Sequence, residues 1–137
     1  MISGSAVSSA AVDVLWTVWT DPSRWTGGPI EHAQVHGPFE VGNSYSVKVR
    51  GNRPLTATIV GIDPPRSWTS TARVLGLRLT LHHILQPEQT GVLVTEGVVI
   101  AGPFARLADA LLARRLRATY EETTAHCARL AEAEPAR

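Results

Sequence analysis

Leu77-Arg-Leu-Thr-Leu-His-His-Ile-Leu-Gln86 and Val92-Leu-Val-Thr-Glu-Gly-Val-Val-Ile-Ala101, joined by Pro87–Gly91 and followed by Gly102-Pro103, decide how this chain folds. Leu77, Leu79 and Leu81 alternate with Arg78 and Thr80, the period of a strand with one buried face. Past Gly102-Pro103 the period changes. Phe104, Leu107, Leu111, Leu112, Leu116, Thr119, Thr123, Cys127 and Leu130 recur at helical spacing. They predict one helix of about 30 residues, some ~45 Å long.

Working back toward the amino terminus, Ser67–Val74, Leu55–Ile62, Ser44–Arg50 and Ile30–His36 read as further strands. The turns between them carry Gly76, Asp63-Pro64-Pro65, Gly51-Asn52 and Gly37-Pro38. Ile2–Val7 reads as a first strand, diluted by Gly4 and its serines. Val12, Leu15, Trp16 and Trp19 then form an amphipathic stripe, with Ser8 or Ser9 as the expected cap and Asp13 in the first turns. Asp21-Pro22 stops that helix, Pro22–Trp25 starts a second short turn, and Gly27-Gly28-Pro29 breaks the chain.

A run of strands without crossover helices pairs antiparallel, because parallel pairing needs long connections. Only the two terminal stretches remain to cover its apolar face. The expected fold is therefore α+β: a curved antiparallel sheet of about seven strands wrapped around a long C-terminal helix, with two short helices after strand 1. Such a sheet encloses a hollow suited to a small molecule.

With 137 residues, 44% hydrophobic and 18% charged, the chain reads as one domain spanning 1–137 with its own core. A formal net charge of +1 makes no electrostatic case for nucleic acid or an anionic membrane. The single cysteine, Cys127, excludes an internal disulfide framework and fits a reducing cytoplasm. No signal-like segment opens the chain, and no apolar run reaches membrane-spanning length.

With that order in place, several strings resemble those of the SRPBCC/START-like superfamily, the Bet v 1-like or helix-grip fold. Val14-Leu-Trp-Thr-Val-Trp-Thr-Asp-Pro-Ser-Arg-Trp25 resembles its "V-W-x-x-x-T-D-P-x-x-W" opening, and Gly37-Pro-Phe-Glu-Val-Gly42 its "G-x-F-x-x-G" turn. Asp63-Pro-Pro-Arg-Ser-Trp68, Leu85-Gln-Pro87, Gly91-Val-Leu-Val-Thr95 and Gly102-Pro103 match in order. The resemblance covers nearly the whole chain and is greatest to the polyketide cyclase/dehydrase and lipid-transport-like group. It implies a helix-grip fold around an apolar pocket. One departure stands out: where the matching strand often carries His after "T-x-V-T", this chain has Glu96.

Between Val41 and Ala101 the acidic residues are Asp63, Glu88 and Glu96; the first two sit in turns, and Glu96 shares a face with Val92, Val94, Val98 and Ile100. Counted back through the hairpin, Leu85 should face Val92, His83 face Val94 and Leu81 face Glu96. His83 then points inward as a diagonal neighbour of Glu96, roughly 7–8 Å away between Cα atoms, while His82 points outward. An imidazole beside a carboxylate is an acid–base pair; the competing reading is a hydrogen-bonded core histidine and a rim Glu.

Tyr45 adds a hydroxyl able to polarise a carbonyl, completing the candidate catalytic set His83, Glu96 and Tyr45. The candidate ligand-binding residues are Trp25, Trp68, Phe104, His32 and Arg73. Aromatic rings supply apolar wall, and Arg73, like Arg53, stands at a strand end where it could hold an anion. Trp25 should mark the pocket's opening. His32 and His36 share a strand face, but no third ligand stands at metal-binding spacing, so neither a metal nor a cofactor is expected. Cys127 and the Arg114, Arg115, Arg117 group read as a buried thiol and a solvated face.

Three functions compete on these grounds. The first is a cyclase or dehydratase acting on a polyketide-like substrate. The alternative is a non-catalytic carrier or sequestering protein for a hydrophobic metabolite or lipid. A less favoured third is an interaction domain resembling a co-chaperone. The expected partner is a hydrophobic small molecule, with no nucleic acid and no membrane, and the chain is expected to be a monomer or weak homodimer.

Overall fold

Short turns and alternating burial force consecutive strands side by side, and a computed structural model, describing residues 1–134, places seven of them in one antiparallel sheet. They are β1 (Ile2–Ser8), β2 (Ile30–His36), β3 (Ser44–Val49), β4 (Leu55–Asp63), β5 (Ser67–Val74), β6 (Leu77–Glu88) and β7 (Gly91–Ala101). The order β1-β7-β6-β5-β4-β3-β2 is a meander from β2 to β7, with β1 added beside β7. Since β1 and β2 form opposite edges, the segment joining them must cross the concave face. It does so as α1 (Val12–Trp19) and a short 3-10 turn, Pro22–Arg24. The long helix α2 (Ala105–Glu132) packs on β1 and β7. No helix among the described residues is long and apolar enough to cross a membrane.

Three sequence expectations need correction. The β6–β7 turn contains only Gln89 and Thr90, because Pro87 continues its strand opposite Val92. Pairing is thus Leu85 with Val94, His83 with Glu96 and Leu81 with Val98, two residues from the expected register. An even slip keeps every side chain on its predicted face, so His83 and Glu96 change from diagonal to direct partners.

Neither Ser8 nor Ser9 caps α1, whose N-cap is Ala11 without a side-chain hydrogen bond. Both serines tie β1 to the far end of α2. Ser8 Oγ donates to the Ala128 carbonyl at 3.3 Å, and the Ser9 amide donates to Glu132 Oε2 at 2.9 Å. Gly4, which looked like a weak point of β1, is where the helix sits. A Cβ there would collide with the backbone of Tyr120 and Glu121, so only glycine allows this approach.

The third correction concerns α2 itself. Its carboxy-terminal half buries Tyr120, Thr124, Cys127, Ala128 and Ala131. Its amino-terminal half turns only small residues and Leu116 toward the core: Ala105, Ala108 and Ala113. Leu107 and Leu111 are exposed, and so is Phe104 at the N-cap. Small side chains at that end cannot fill the sheet's concavity.

Candidate functional site

The unfilled space is a cavity of about 400 Å³ between the concave sheet, α1 and α2. Its exposed lining residues, Arg53, Pro54, Val74, Leu112 and Arg115, all lie at one end. The mouth therefore opens between α2, the β3–β4 loop and the β5–β6 turn. Trp25 does not mark it. That ring is buried against Trp68 at 5.7 Å, and its Nε1 donates to the Trp19 carbonyl at 2.9 Å.

Deep in the cavity, register places Trp68 of β5, His83 of β6 and Glu96 of β7 in one row. The His83 ring is 4% exposed and lies flat on Trp68, with centroids 3.5 Å apart and planes 2° from parallel. Trp19 meets its edge at 5.3 Å. His83 Nδ1 lies 3.3 Å from the Trp68 carbonyl. A carbonyl only accepts, so Nδ1 carries the hydrogen and Nε2 is left facing Glu96 Oε1 at 3.4 Å. That spacing lets an imidazole and a carboxylate act together as an acid–base pair.

Two other polar atoms in this row have no partner among the described residues: Glu96 Oε2 and Trp68 Nε1. Leaving a buried polar atom unpaired costs about 1–3 kcal/mol.

Around Glu96 stand three further titratable groups. The Tyr45 hydroxyl contacts Ser70 Oγ at 2.6 Å, and burial pushes its ionisation well above the usual phenol range despite that bond. Burial raises Tyr120 in the same direction, with the Glu96 charge adding to it. The Cys127 thiol is pushed up to about 12 by burial first and the Glu96 charge second. All three stay neutral at physiological pH. Tyr45 can donate a hydrogen bond, and Cys127 is not a thiolate nucleophile.

The structure thus brings together five of the predicted site residues: Tyr45, Trp25, Trp68, His83 and Glu96. It separates three. Phe104 is 79% exposed, swung out by a left-handed backbone with φ of 62°. His32 points away from the cavity, because a register shift between Ile30 and His32 sends Ala33 and Val35 inward instead. Arg73 lies on the outer face, directly opposite Arg78. Among the described residues no three His, Cys, Asp or Glu side chains converge as a metal site.

Sequence reasoning passed over Trp19, Tyr120 and Arg115, all of which line the cavity. Trp19 and Tyr120 look like ordinary stripe residues of their helices, and only the hollow gives them a second role. Arg115, read as solvated, donates to the Gly51 carbonyl at 2.7 Å and clasps α2 to the β3–β4 loop beside the mouth.

The sequence matches no family model and no curated protein. Solved structures do match. The di-domain ARO/CYC StfQ of the steffimycin biosynthetic pathway superposes with a TM-score of 0.77 at 13% identity over 95% of this chain. This chain spans 49% of StfQ, about half its length. DynU16, from the dynemicin biosynthetic locus, gives 0.73 at 19% identity, over 96% of this chain and 47% of that one. Norcoclaurine synthase from Thalictrum flavum, in complex with dopamine and hydroxybenzaldehyde, gives 0.72 at 14% identity, over 99% and 88%. The fold is the helix-grip fold.

Proposed function

We propose that this chain is a cavity enzyme of the cyclase/dehydratase type, acting on a polyketide-like or similarly poly-carbonyl substrate. The observation that carries the reading is the His83–Glu96 pair, 3.4 Å apart on the cavity wall. Its likeness to StfQ, an ARO/CYC, supports that reaction class.

The apolar wall folds a flexible chain so that a carbon acid and a carbonyl approach each other, which lowers the entropic part of the barrier. The His83–Glu96 pair takes a proton from the carbon between two carbonyls. The resulting enolate carbon attacks a third, more distant carbonyl of the folded chain, forming the carbon–carbon bond. Tyr45 O–H stabilises the developing alkoxide, which then takes up the proton held by the pair. In a dehydration the base removes a further carbon-bound proton, and the hydroxyl leaves as water with the proton returned by the acid.

The test uses single-turnover cyclisation of a synthetic poly-β-ketone thioester beside equilibrium binding of the same compound. Glu96→Gln should slow turnover by about 100-fold or more while affinity stays within about twofold. Equal rates would remove Glu96 from the mechanism and transfer the acid–base role to His83, tested by His83→Phe. If neither variant slows any reaction, yet Trp68→Ala weakens binding of apolar ligands, the protein is a carrier.

A further inference from the structure

Among the described residues, the two other than glycine with positive φ are Leu75 at 52° and Phe104 at 62°. They are also the two most exposed large apolar side chains, at 95% and 79%. Both conformations are unfavourable for a bulky residue. Leu75 and Gly76 form the two-residue β5–β6 turn with both φ values positive, as in a type I′ hairpin, where Asn-Gly is the preferred pair. The two loops touch, since a Cβ on Gly102 would lie 3.1 Å from the Gly76 carbonyl oxygen. Leu107 and Leu111, one helical turn apart on α2, continue the apolar surface from Phe104.

Arginines surround these side chains. Arg73 and Arg78 stand directly opposite each other across the turn, both exposed, a like-charge pairing that disfavours the strand pair unless an anion bridges it. Arg53 and Arg115 line the adjoining mouth, and Arg114 is exposed on α2 nearby. The carboxylates on this end are Asp109, exposed on α2, Glu122, which pairs with Arg50 at 3.0 Å, and Glu31, which pairs with Lys48 at 2.9 Å. The opposite end of the sheet carries Asp13, Glu40, Asp63 and Glu88. A net charge of +1 conceals this separation.

We infer that the mouth end docks on an anionic lipid surface, with Leu75 and Phe104 entering the headgroup layer and the arginines on lipid phosphates. Exposed apolar side chains within a basic ring fit an interface that is charged outside and apolar beneath. Docked there, the mouth faces the bilayer, and an apolar ligand passes between lipid and cavity without crossing water. The inference holds whether the cavity is catalytic or only a carrier.

The experiment is co-sedimentation of the full chain with phosphatidylcholine vesicles, with and without phosphatidylglycerol, across a salt series. Binding should require phosphatidylglycerol and weaken with salt. Leu75→Asn combined with Phe104→Asn keeps residues that tolerate the left-handed backbone and should weaken partitioning by about tenfold or more. Arg73→Glu with Arg78→Glu should do the same. Arg66→Glu, at the opposite end, should bind like the native chain. Equal binding to both lipid compositions overturns the inference, as does unchanged binding by the two paired variants. Failure to bind either vesicle also overturns it and leaves the patch to a soluble acidic protein.

Discussion

At its closed end the cavity is walled by Trp68, His83 and Glu96, with the His83 ring lying flat on Trp68. At its mouth the same sheet ends in Leu75, Arg73 and Arg78, exposed, strained and alike in charge. The first arrangement spends stability on two unpaired polar atoms; the second spends it on backbone conformation and repulsion. Packing alone would not select either feature, and each becomes useful only when something binds. With the proposed function and the inferred docking, chemistry belongs to the depth of the fold and recognition to its rim.

Trp68→Ala gives the largest effect. The ring touches Trp25, Tyr45, Phe39 and His83, and its loss should cost about 3–5 kcal/mol in urea unfolding. A cost near zero would mean that the stack contributes no packing, and the closed end would no longer differ from the mouth.

A pH-dependent loss comes next. Cys127 has an ordinary thiol value of 9.0 when unfolded and is raised to about 12 when folded. A raised value means that the folded state holds the proton more tightly. The corresponding stability is complete below pH 9.0 and falls as pH climbs toward about 12. Cys127→Ala should therefore lose stability less steeply over that window, although a small cavity lowers its stability at neutral pH. Parallel slopes for the two proteins would show that Glu96 and its surroundings are wetter than the geometry indicates.

The smallest effect has the opposite sign. Leu75→Asn restores the preferred residue to a left-handed turn position and should stabilise the fold by about 1 kcal/mol, visible as a rise in Tm of a few degrees. Stabilisation together with weaker vesicle binding is the sharpest form of the contrast, because it separates what the turn does for folding from what it does for docking. A destabilised Leu75→Asn would show that Leu75 packs after all.

Strand order, the long helix and the inward face of His83 and Glu96 were legible because they depend on period, and period is local. A two-residue error in hairpin register left those faces intact for the same reason. The positions of Phe104 and His32 were not legible, because each depends on one backbone irregularity, a left-handed N-cap and a register shift in β2. The outward face of Arg73 follows from plain alternation, five residues from the inward Trp68 on the same strand.

Alternation and turn chemistry in the sequence alone determined an antiparallel sheet, one terminal helix and too few large side chains to fill the space between them. Only the tertiary structure decided that the space opens beside Arg53 and Arg115, that His83 meets Glu96 directly, and that a nearly neutral chain is basic at one end. Composition sums charge over the whole chain, whereas an electric field depends on where the fold places each charge.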